Sequence, residues 1–296
     1  MNRSQINLLV ALAILIVVTV ACVSSRSGGS GDDSSPTPAP SVAANSEDGG
    51  LKSNKKSDDR KKTDKGNFLV EHQAVKNSRY NEIDRQVKEE KLLEKAADKL
   101  NRSLILPHDI SLITKDCDEV NAFYDAQNQA VTVCYELMEH FYKVFRSDGL
   151  NDDRAYDKMF DAVRFAFLHE IGHALIDTYN LPITGNEEDA ADRCSAFINL
   201  TELGEDGVNA VLAASEAFRI ESRNNSSGNR NFADEHLLQE QRFYNSLCML
   251  YGSDENKYSY ILEDEYLPKE RAVRCPQEYR RTVDSWSNLL APWRKD

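Results

Sequence analysis

Residues 167–177 read FLHEIGHALID and residues 187–192 read EEDAAD, with a short Pro- and Gly-containing loop between the two segments. Apolar residues recur around the first segment at the spacing of an α-helix. This pattern predicts a long helix over residues 157–179 whose core face holds Phe160, Val163, Phe167, Ile171 and Ala174. A second helix is predicted over residues 187–203, so the two segments lie on consecutive helices.

The sequence HEIGH, residues 169–173, is an HExxH motif. Four helical residues turn through about 400°, so His169 and His173 project from the same face, one turn apart. Two imidazoles in this arrangement can bind one tetrahedral Zn²⁺, and Glu170 can act as the general base on an attacking water. Ile176 and Tyr179 stand where a metzincin has Gly and His, which excludes that class.

A third protein ligand is expected from EEDAAD, which contains the pattern ExxAD. Glu188 and Asp192 are four residues apart and share a helix face. Glu188 is the predicted metal ligand, and Asp192 is predicted to accept a hydrogen bond from a histidine ligand and orient its ring. Glu187 and Asp189 are rival ligands.

The remaining pattern predicts an α+β fold, with a small mixed or antiparallel sheet and a mainly helical body. A strand is predicted over residues 109–114, and a hairpin is predicted from two short β-prone runs at 121–124 and 130–135. Further helices are predicted over 77–100, 136–146, 207–222, 235–250 and a C-terminal segment, with a turn at 224–231.

The N-terminal segment has the features of an export signal. Leu8 to Val20 is an apolar run, too short to cross a bilayer comfortably, and it ends in the lipobox-like sequence TVAC. Residues 1–22 are therefore predicted to be a signal peptide, with Cys22 as the lipidated mature N-terminus and the membrane as a partner through that lipid. Cleavage after Ala21 and retention as an uncleaved anchor are the alternatives. All three place the chain outside the cytoplasm.

Residues 23–65 are rich in Ser, Gly, Asp, Pro and then Lys, and they are predicted to form a disordered tether before a single domain at 66–296. The formal net charge of −13 argues against nucleic acid as a partner. Six cysteines are present, and lipidation of Cys22 would leave five, an odd number. Pairing is expected outside the cytoplasm, but the residues alone leave its connectivity open.

With the HExxH and ExxAD pair, the sequence resembles the gluzincin clan of zinc metallopeptidases. Residues 121–124, NAFY, resemble the NAF box on the edge strand with which that clan binds an extended peptide, which implies substrate contacts at Asn121 and Ala122. The run from His236 to Arg242 is similar to the HP-x4-R box of the CAAX-type and HtpX-type membrane proteases, although Leu237 replaces the proline. That similarity implies a substrate-binding role for Arg242.

A closer resemblance, over about residues 66 to 292, is to a bacterial family of metallopeptidase-like proteins without an established function. The shared segments are FxHExGHAxxD, EEDAAD, NAFYD, CYEL, DEH, QRFYN and CP-EY. The resemblance supports two disulfides, Cys117–Cys134 and Cys248–Cys275. Cys194 would then be free and buried.

His236 is a candidate for stabilising negative charge on the substrate carbonyl, since gluzincins place a His, Tyr or Arg at that position. It is the only histidine downstream of Glu188, and Tyr244 is a second candidate donor. Alternatively, the sequence DEH begins a helix with Asp234 as its N-cap. The other histidines, His72, His108 and His140, are predicted to be structural or surface groups.

Two functions are compatible with these features. The first is a zinc peptidase, with one Zn²⁺ per chain, that hydrolyses peptide bonds of peptides or proteins in the cell envelope or outside the cell. The second is a non-catalytic envelope lipoprotein that is stabilised by zinc and binds a partner. Structural zinc sites are usually closed and rich in cysteine, whereas this motif set retains a general base. The peptidase is therefore the favoured interpretation.

Overall fold

A computed structural model describes residues 62–224 and 236–295. The strands there are β1 (Phe68–His72), β2 (Ile110–Lys115), β3 (Ala122–Asp125) and β4 (Ala130–Cys134). The longer helices are α1 (Asn81–Glu90), α2 (Leu92–Ser103), α3 (Tyr135–Ser147), α4 (Asp152–Tyr179), α5 (Glu187–Glu202), α6 (Gly204–Asn224) and α7 (Gln239–Ser253). Two one-turn helices, α8 (Tyr260–Glu263) and α9 (Lys269–Ala272), precede the last, α10 (Cys275–Leu290). The predicted α+β class, a small sheet with a mainly helical body, is confirmed.

The four strands form one mixed sheet in the order β1-β2-β4-β3. β1 runs parallel to β2, β2 runs parallel to β4, and β3 runs antiparallel to β4. The predicted hairpin is therefore confirmed, and it places β3 at the edge of the sheet. β1 was not predicted because its sequence, FLVEH, begins with three apolar residues and shows little apolar–polar alternation. In the structure the burial does alternate at its start: Phe68 is buried, but Leu69 is 48% exposed.

Several predicted helix boundaries need correction. The helix expected over residues 77–100 is broken at Lys91, whose left-handed backbone (φ 52°) ends α1 and precedes α2. Neither Gly nor Pro marks this break in the sequence. α4 begins five residues before the predicted start, where the Asn151 side chain accepts a hydrogen bond from the Arg154 amide. α7 begins at Gln239 and not at residue 235.

Helix α4 is the centre of the helical body. It is buried along most of its length, with α3, α5 and α6 against it and the β3–β4 hairpin across one side. Of the predicted core face, Val163, Phe167, Ile171 and Ala174 are buried and Phe160 is half-buried. Within residues 62–224 and 236–295, no helix combines the length and apolar character needed to cross a membrane.

The predicted signal peptide, with Cys22, lies outside the described residues, as do most of the predicted tether and most of the predicted turn at 224–231. The end of the predicted tether is folded. Asp64 forms an ion pair with Lys295 at 2.6 Å, and the Lys65 amide donates to the Leu106 carbonyl at 2.7 Å. Ordered contacts therefore begin before residue 66.

Both disulfides implied by the resemblance are present. Cys117 and Cys134 have their Cα atoms 5.5 Å apart, and Cys248 and Cys275 have theirs 5.0 Å apart. Cys194 is free and buried, and burial raises the pKa of its thiol. The first bridge ties the loop before β3 to the end of β4, and the second ties α7 to α10.

Candidate metal centre

The two histidines of HEIGH face each other across one turn of α4. Their ring centroids are 4.9 Å apart, and the Nε2 atoms of His169 and His173 are 3.2 Å apart. His169 is buried, whereas His173 is half-buried at the edge of a cleft. The helix therefore delivers two imidazole nitrogens to one point.

Helix α5 brings Glu188 to the same point. Its carboxylate lies 3.1 Å from Nε2 of His169 and 3.4 Å from Nε2 of His173. This approach depends on Gly172, because a Cβ there would stand 3.1 Å from the Cα of Ala191. The small residues inside HEIGH and EEDAAD thus let α4 and α5 pack closely enough for their side chains to converge.

The start of α5 also fixes which carboxylate faces the histidines. The Asn186 side chain caps the helix by accepting a hydrogen bond from the Glu188 amide at 2.8 Å. Of the rival ligands, Glu187 accepts from Nδ1 of His173 at 2.8 Å, and Asp189 pairs with Arg193 at 3.3 Å. Only Glu188 among the three directs its carboxylate between the two Nε2 atoms.

The donor set fits a metal ion. Both Nδ1 atoms face carboxylates, Asp192 for His169 and Glu187 for His173, so in the neutral rings the Nε2 lone pairs point at each other. The separations of 3.1, 3.2 and 3.4 Å match the edge of about 3.3 Å in a tetrahedron with Zn–N distances near 2.0–2.1 Å. Lone pairs this close repel one another unless a cation or a proton lies between them.

The electrostatics of the centre also favour a cation. Burial opposes a positive charge on His169, but its hydrogen bonds to Asp192 and Glu188 prevail and raise its pKa to about 9. Burial acts against the charge on Glu188 too, yet the surrounding histidines hold the pKa of this carboxyl far below its usual range. The carboxylates around these two rings therefore stabilise positive charge at the point where the ligand atoms meet.

Asp192 orients His169, as the sequence analysis expected, and it is itself held by Arg242. Its Oδ1 accepts from Nδ1 of His169 at 2.8 Å. Arg242 donates to both of its oxygens, at 2.7 and 2.8 Å, and its guanidinium stacks on the ring of Phe218. The substrate-binding role expected for Arg242 needs correction, because this guanidinium is committed to Asp192 behind the metal ligands and does not line the cleft.

Glu170 is buried beside the centre and lines the cleft. One carboxylate oxygen is 3.9 Å from Nε2 of His169, and both Glu170 and Tyr124 of β3 line the cleft. Burial raises its pKa above the ordinary value of a glutamate, and the two histidines partly oppose that effect. A carboxylate with a raised pKa next to the metal position suits a group that first takes and later returns a proton.

The cleft in front of the centre has a volume of about 1000 Å³. β3 forms one wall, so the predicted substrate residues Asn121 and Ala122 line it together with Tyr124. No role for Tyr124 itself follows from the residue pattern. Its hydroxyl donates to Asp177 at 2.8 Å, which ties the edge strand to α4 one turn beyond His173. Asp177, the last residue of the shared FxHExGHAxxD segment, is the signal that could have indicated this contact.

His236 reaches the centre from the segment before α7. Its Nε2 is 3.0 Å from Glu188, and its ring lies over His169 with centroids 6.1 Å apart. Half of the side chain is exposed to the cleft, which His236 lines. Asp234, the residue in the alternative capping interpretation, lies outside the described residues. Tyr244, the rival donor, packs on Phe243 and is not among the residues that line the cleft.

The remaining histidines make hydrogen bonds away from the centre. His72 contacts Thr114 and Glu94, and His140 contacts Glu221. His108 contacts the backbone of the next residue. These contacts agree with the structural or surface roles predicted for all three.

Comparison with known proteins agrees with this geometry. Residues 72–290 match the profile of the family DUF4344, which is described as "Putative metallopeptidase". The match spans most of the 296 residues, so the chain belongs to this family. No curated protein and no solved structure matches the chain. Membership in a metallopeptidase family implies a metal ion, and within the described residues His169, His173 and Glu188 form a group that can hold one.

Proposed function

We propose that the protein is a zinc-dependent peptidase. The observation that carries this proposal is the convergence of His169, His173 and Glu188 on one point, with the buried carboxylate of Glu170 beside it. Two imidazoles and one carboxylate are the donor set of many catalytic zinc sites, which leave a fourth position open. Cysteine, which most closed structural sites use, contributes no ligand to this group.

Zinc at this point would act as a Lewis acid towards a peptide carbonyl and would lower the pKa of water. Glu170 then takes a proton from the attacking water on its carboxylate and gives it to the leaving nitrogen, so that water is added across the C–N bond.

The substrate is an extended peptide or protein segment lying along β3. This strand is at the edge of the sheet and lines the cleft, so its outer backbone groups can pair with a peptide. Ala122 provides that edge, and Asn121, whose carbonyl accepts from the Cys134 amide, lines the cleft beside it.

His236 stabilises the negative charge that develops on the carbonyl oxygen. It is within hydrogen-bonding distance of Glu188 and half-exposed to the cleft, so a small rotation turns Nε2 from Glu188 towards a bound substrate. A positioned donor of this kind contributes several kcal/mol to catalysis. The variant His236→Ala is expected to lower kcat while metal content stays unchanged.

The enzyme acts in the cell envelope or outside the cell, attached to the membrane by lipid on Cys22 or released after cleavage behind Ala21. Retention as an uncleaved anchor leaves it in the same compartment. Two disulfides within the described residues support an oxidising location. Mass spectrometry of the mature N-terminus distinguishes the three alternatives.

Digestion of an unbiased peptide library tests the proposal. The wild-type protein should contain about one zinc per chain by elemental analysis. It should also cleave library peptides, whereas Glu170→Gln should retain zinc and lose about 100- to 10,000-fold of the rate. Glu221→Gln is a matched control, since Glu221 pairs with His140 away from the cleft. Zinc without turnover in the wild type would favour the non-catalytic lipoprotein instead.

A further inference from the structure

A groove adjoins the metal cleft at the N-terminus of α5. Asn186, the N-cap of that helix, lines both spaces. On either side of it the lining divides between neighbouring residues: Glu188 and His236 line the cleft, whereas Asp189 and Leu237 line the groove. The groove therefore begins where the cleft ends, at the start of α5 and at the segment before α7.

This α10 groove, named after the helix that forms one of its walls, has a volume of about 900 Å³. Residues 182–186, between α4 and α5, supply another wall. Trp286 of α10 is 3% exposed, so the core holds this part of the wall rigidly. A concave site with apolar walls and few polar groups suits an apolar part of a ligand. The apolar side chains of the walls are Pro182, Ile183, Ala190, Leu237, Trp286 and Leu289.

The charges in these walls are balanced. Two carboxylates and two guanidinium groups line the groove: Asp189, Glu278, Arg193 and Arg281. Arg193 lies 3.3 Å from Asp189 and 3.9 Å from Glu278. Arg271 donates twice to Glu278, each time at 2.7 Å. Arg281 is exposed to water, where a single charge contributes little. Each carboxylate of the described wall therefore has a cation beside it, and the groove distinguishes ligands by apolar surface more than by charge.

Leu237 connects this groove to the proposed catalytic groups. It directly follows His236, whose Nε2 is 3.0 Å from Glu188, and it stands where the HP-x4-R box has proline. Its side chain is half-buried in the groove wall. The same short segment therefore supplies the proposed oxyanion donor to the cleft and an apolar side chain to the groove.

We propose that the α10 groove binds an apolar side chain of the peptide substrate, namely leucine, methionine or phenylalanine. The proposal rests on the zinc peptidase function proposed above, since this side chain belongs to the segment that enters the cleft. An extended segment that leaves the cleft past Asn186 carries its next side chains into the groove. Neither the predicted metal ligands nor Glu170 line the groove, so the bound side chain belongs to a residue that does not flank the scissile bond.

Cleavage of a randomised dodecapeptide library by the zinc-loaded full chain is the first test. Aligned on the scissile bond, the cleaved sequences should show one position, not adjacent to that bond, at which leucine, methionine or phenylalanine is preferred. A peptide with leucine there should have kcat/KM about 10-fold above that of the matched alanine peptide, because part of a large apolar side chain becomes buried. Glutamate at that position should give less than a twofold gain over alanine, since Arg281 is exposed.

Substitutions of Ser285 locate the subsite. Ser285 is exposed and lines the groove from α10, so its replacement leaves the core intact. Ser285→Trp should fill the groove and remove the preference for leucine, while the alanine peptide is cleaved as by the wild type. Ser285→Lys should favour glutamate over alanine at the same position by about two- to fivefold. Gln277→Trp and Gln277→Lys are the matched controls, because Gln277 is exposed on α10 outside the groove, and both should keep the wild-type profile.

Peptide capture without turnover separates this proposal from the peptidase function. Immobilised, zinc-loaded Glu170→Gln should enrich library peptides that carry one of the three apolar residues, and adding Ser285→Trp should remove that enrichment. Such capture without any cleavage by the wild type would refute the peptidase function and leave the groove as a peptide-binding site. Cleavage by the wild type with a profile that Ser285→Trp does not change would refute the subsite and leave the peptidase function.

Three further results would overturn the proposal. The first is a wild-type profile whose preferences are confined to the two residues that flank the scissile bond. The second is the same profile for Ser285→Trp and Gln277→Trp. The third is a preference for an acidic side chain at the position that depends on Ser285, which would make Arg281 the recognition group and not the apolar wall. Absence of both cleavage and capture would refute the subsite and the peptidase function together.

Discussion

The two histidines of the metal centre are one turn apart on α4, yet they are supported differently. His169 is 5% exposed, and behind it lies Asp192, held in turn by Arg242. His173 is 15% exposed, and its Nδ1 partner Glu187 is 52% exposed. A buried charge network costs much to disrupt, whereas an exposed ion pair contributes little. We infer that the His169 side holds the geometry of the centre and that the His173 side can adjust at the cleft.

Removal of either histidine should have the largest effect on the stability of the protein, and the two variants should differ from each other. His169→Ala and His173→Ala should both lose the metal-dependent stabilisation, which in the wild type reaches about 4 kcal/mol at a metal concentration 1,000 times Kd. His169→Ala should in addition lower the stability of the chelated protein, because it empties a buried position. Thermal unfolding with zinc and with chelator measures both effects. Equal stability of the two chelated variants would contradict the comparison.

Replacement of Arg242 should destabilise the fold by about 3 kcal/mol or more, because Arg242→Met leaves Asp192 as a buried charge with one partner fewer. Arg193→Met is the matched control on α5, since the Arg193 side chain is 24% exposed and its two carboxylate partners, Asp189 and Glu278, are 36% and 28% exposed. The expected loss is therefore below about 1 kcal/mol. Urea unfolding of both variants gives the comparison, and similar losses would mean that Asp192 is well solvated.

The chelated protein should lose stability as the pH rises from about 6.5 to 9. The pKa of His169 is raised to about 9 in the folded state, from the ordinary histidine value of 6.5. A raised pKa stabilises the fold fully below the unfolded value, and that contribution disappears as pH passes the folded value. A shift of this size corresponds to about 3 kcal/mol. Unfolding measured against pH should show this decline with chelator and a smaller decline in Asp192→Asn.

Much of this centre could be predicted from the sequence, because its ligands lie on two helices with regular spacing. HExxH and ExxAD each fix their side chains through the geometry of one turn, and the loop between them is short. The small residues Gly172 and Ala191 inside the motifs allow the close helix packing. Local geometry therefore determined most of the placement of His169, His173 and Glu188.

The roles of Arg242 and Tyr124 depended on contacts that spacing cannot give. Arg242 is 50 residues from Asp192, and Tyr124 is 53 residues from Asp177. A resemblance placed Arg242 near the site but could not say on which side of His169 it lies. Strand β1 and the break at Lys91 were not predicted for a related reason, since neither carries the local sequence pattern that identifies a strand or a helix end.

The smallest expected effects are on metal affinity, and they concern Asp192 and Glu187, the two carboxylates that orient the histidine rings. Asp192→Asn should weaken metal binding about 10- to 100-fold, the usual effect of changing a group that orients a ligand. Glu187→Gln should weaken it about two- to fivefold, because Glu187 is half-exposed and its charge is screened by water and salt. Raising the salt concentration to about 1 M should remove most of the Glu187→Gln effect and leave the Asp192→Asn effect in place. Competition with a chromophoric chelator measures both constants. A Glu187→Gln loss as large as that of Asp192→Asn, and insensitive to salt, would show that the two histidines are supported alike.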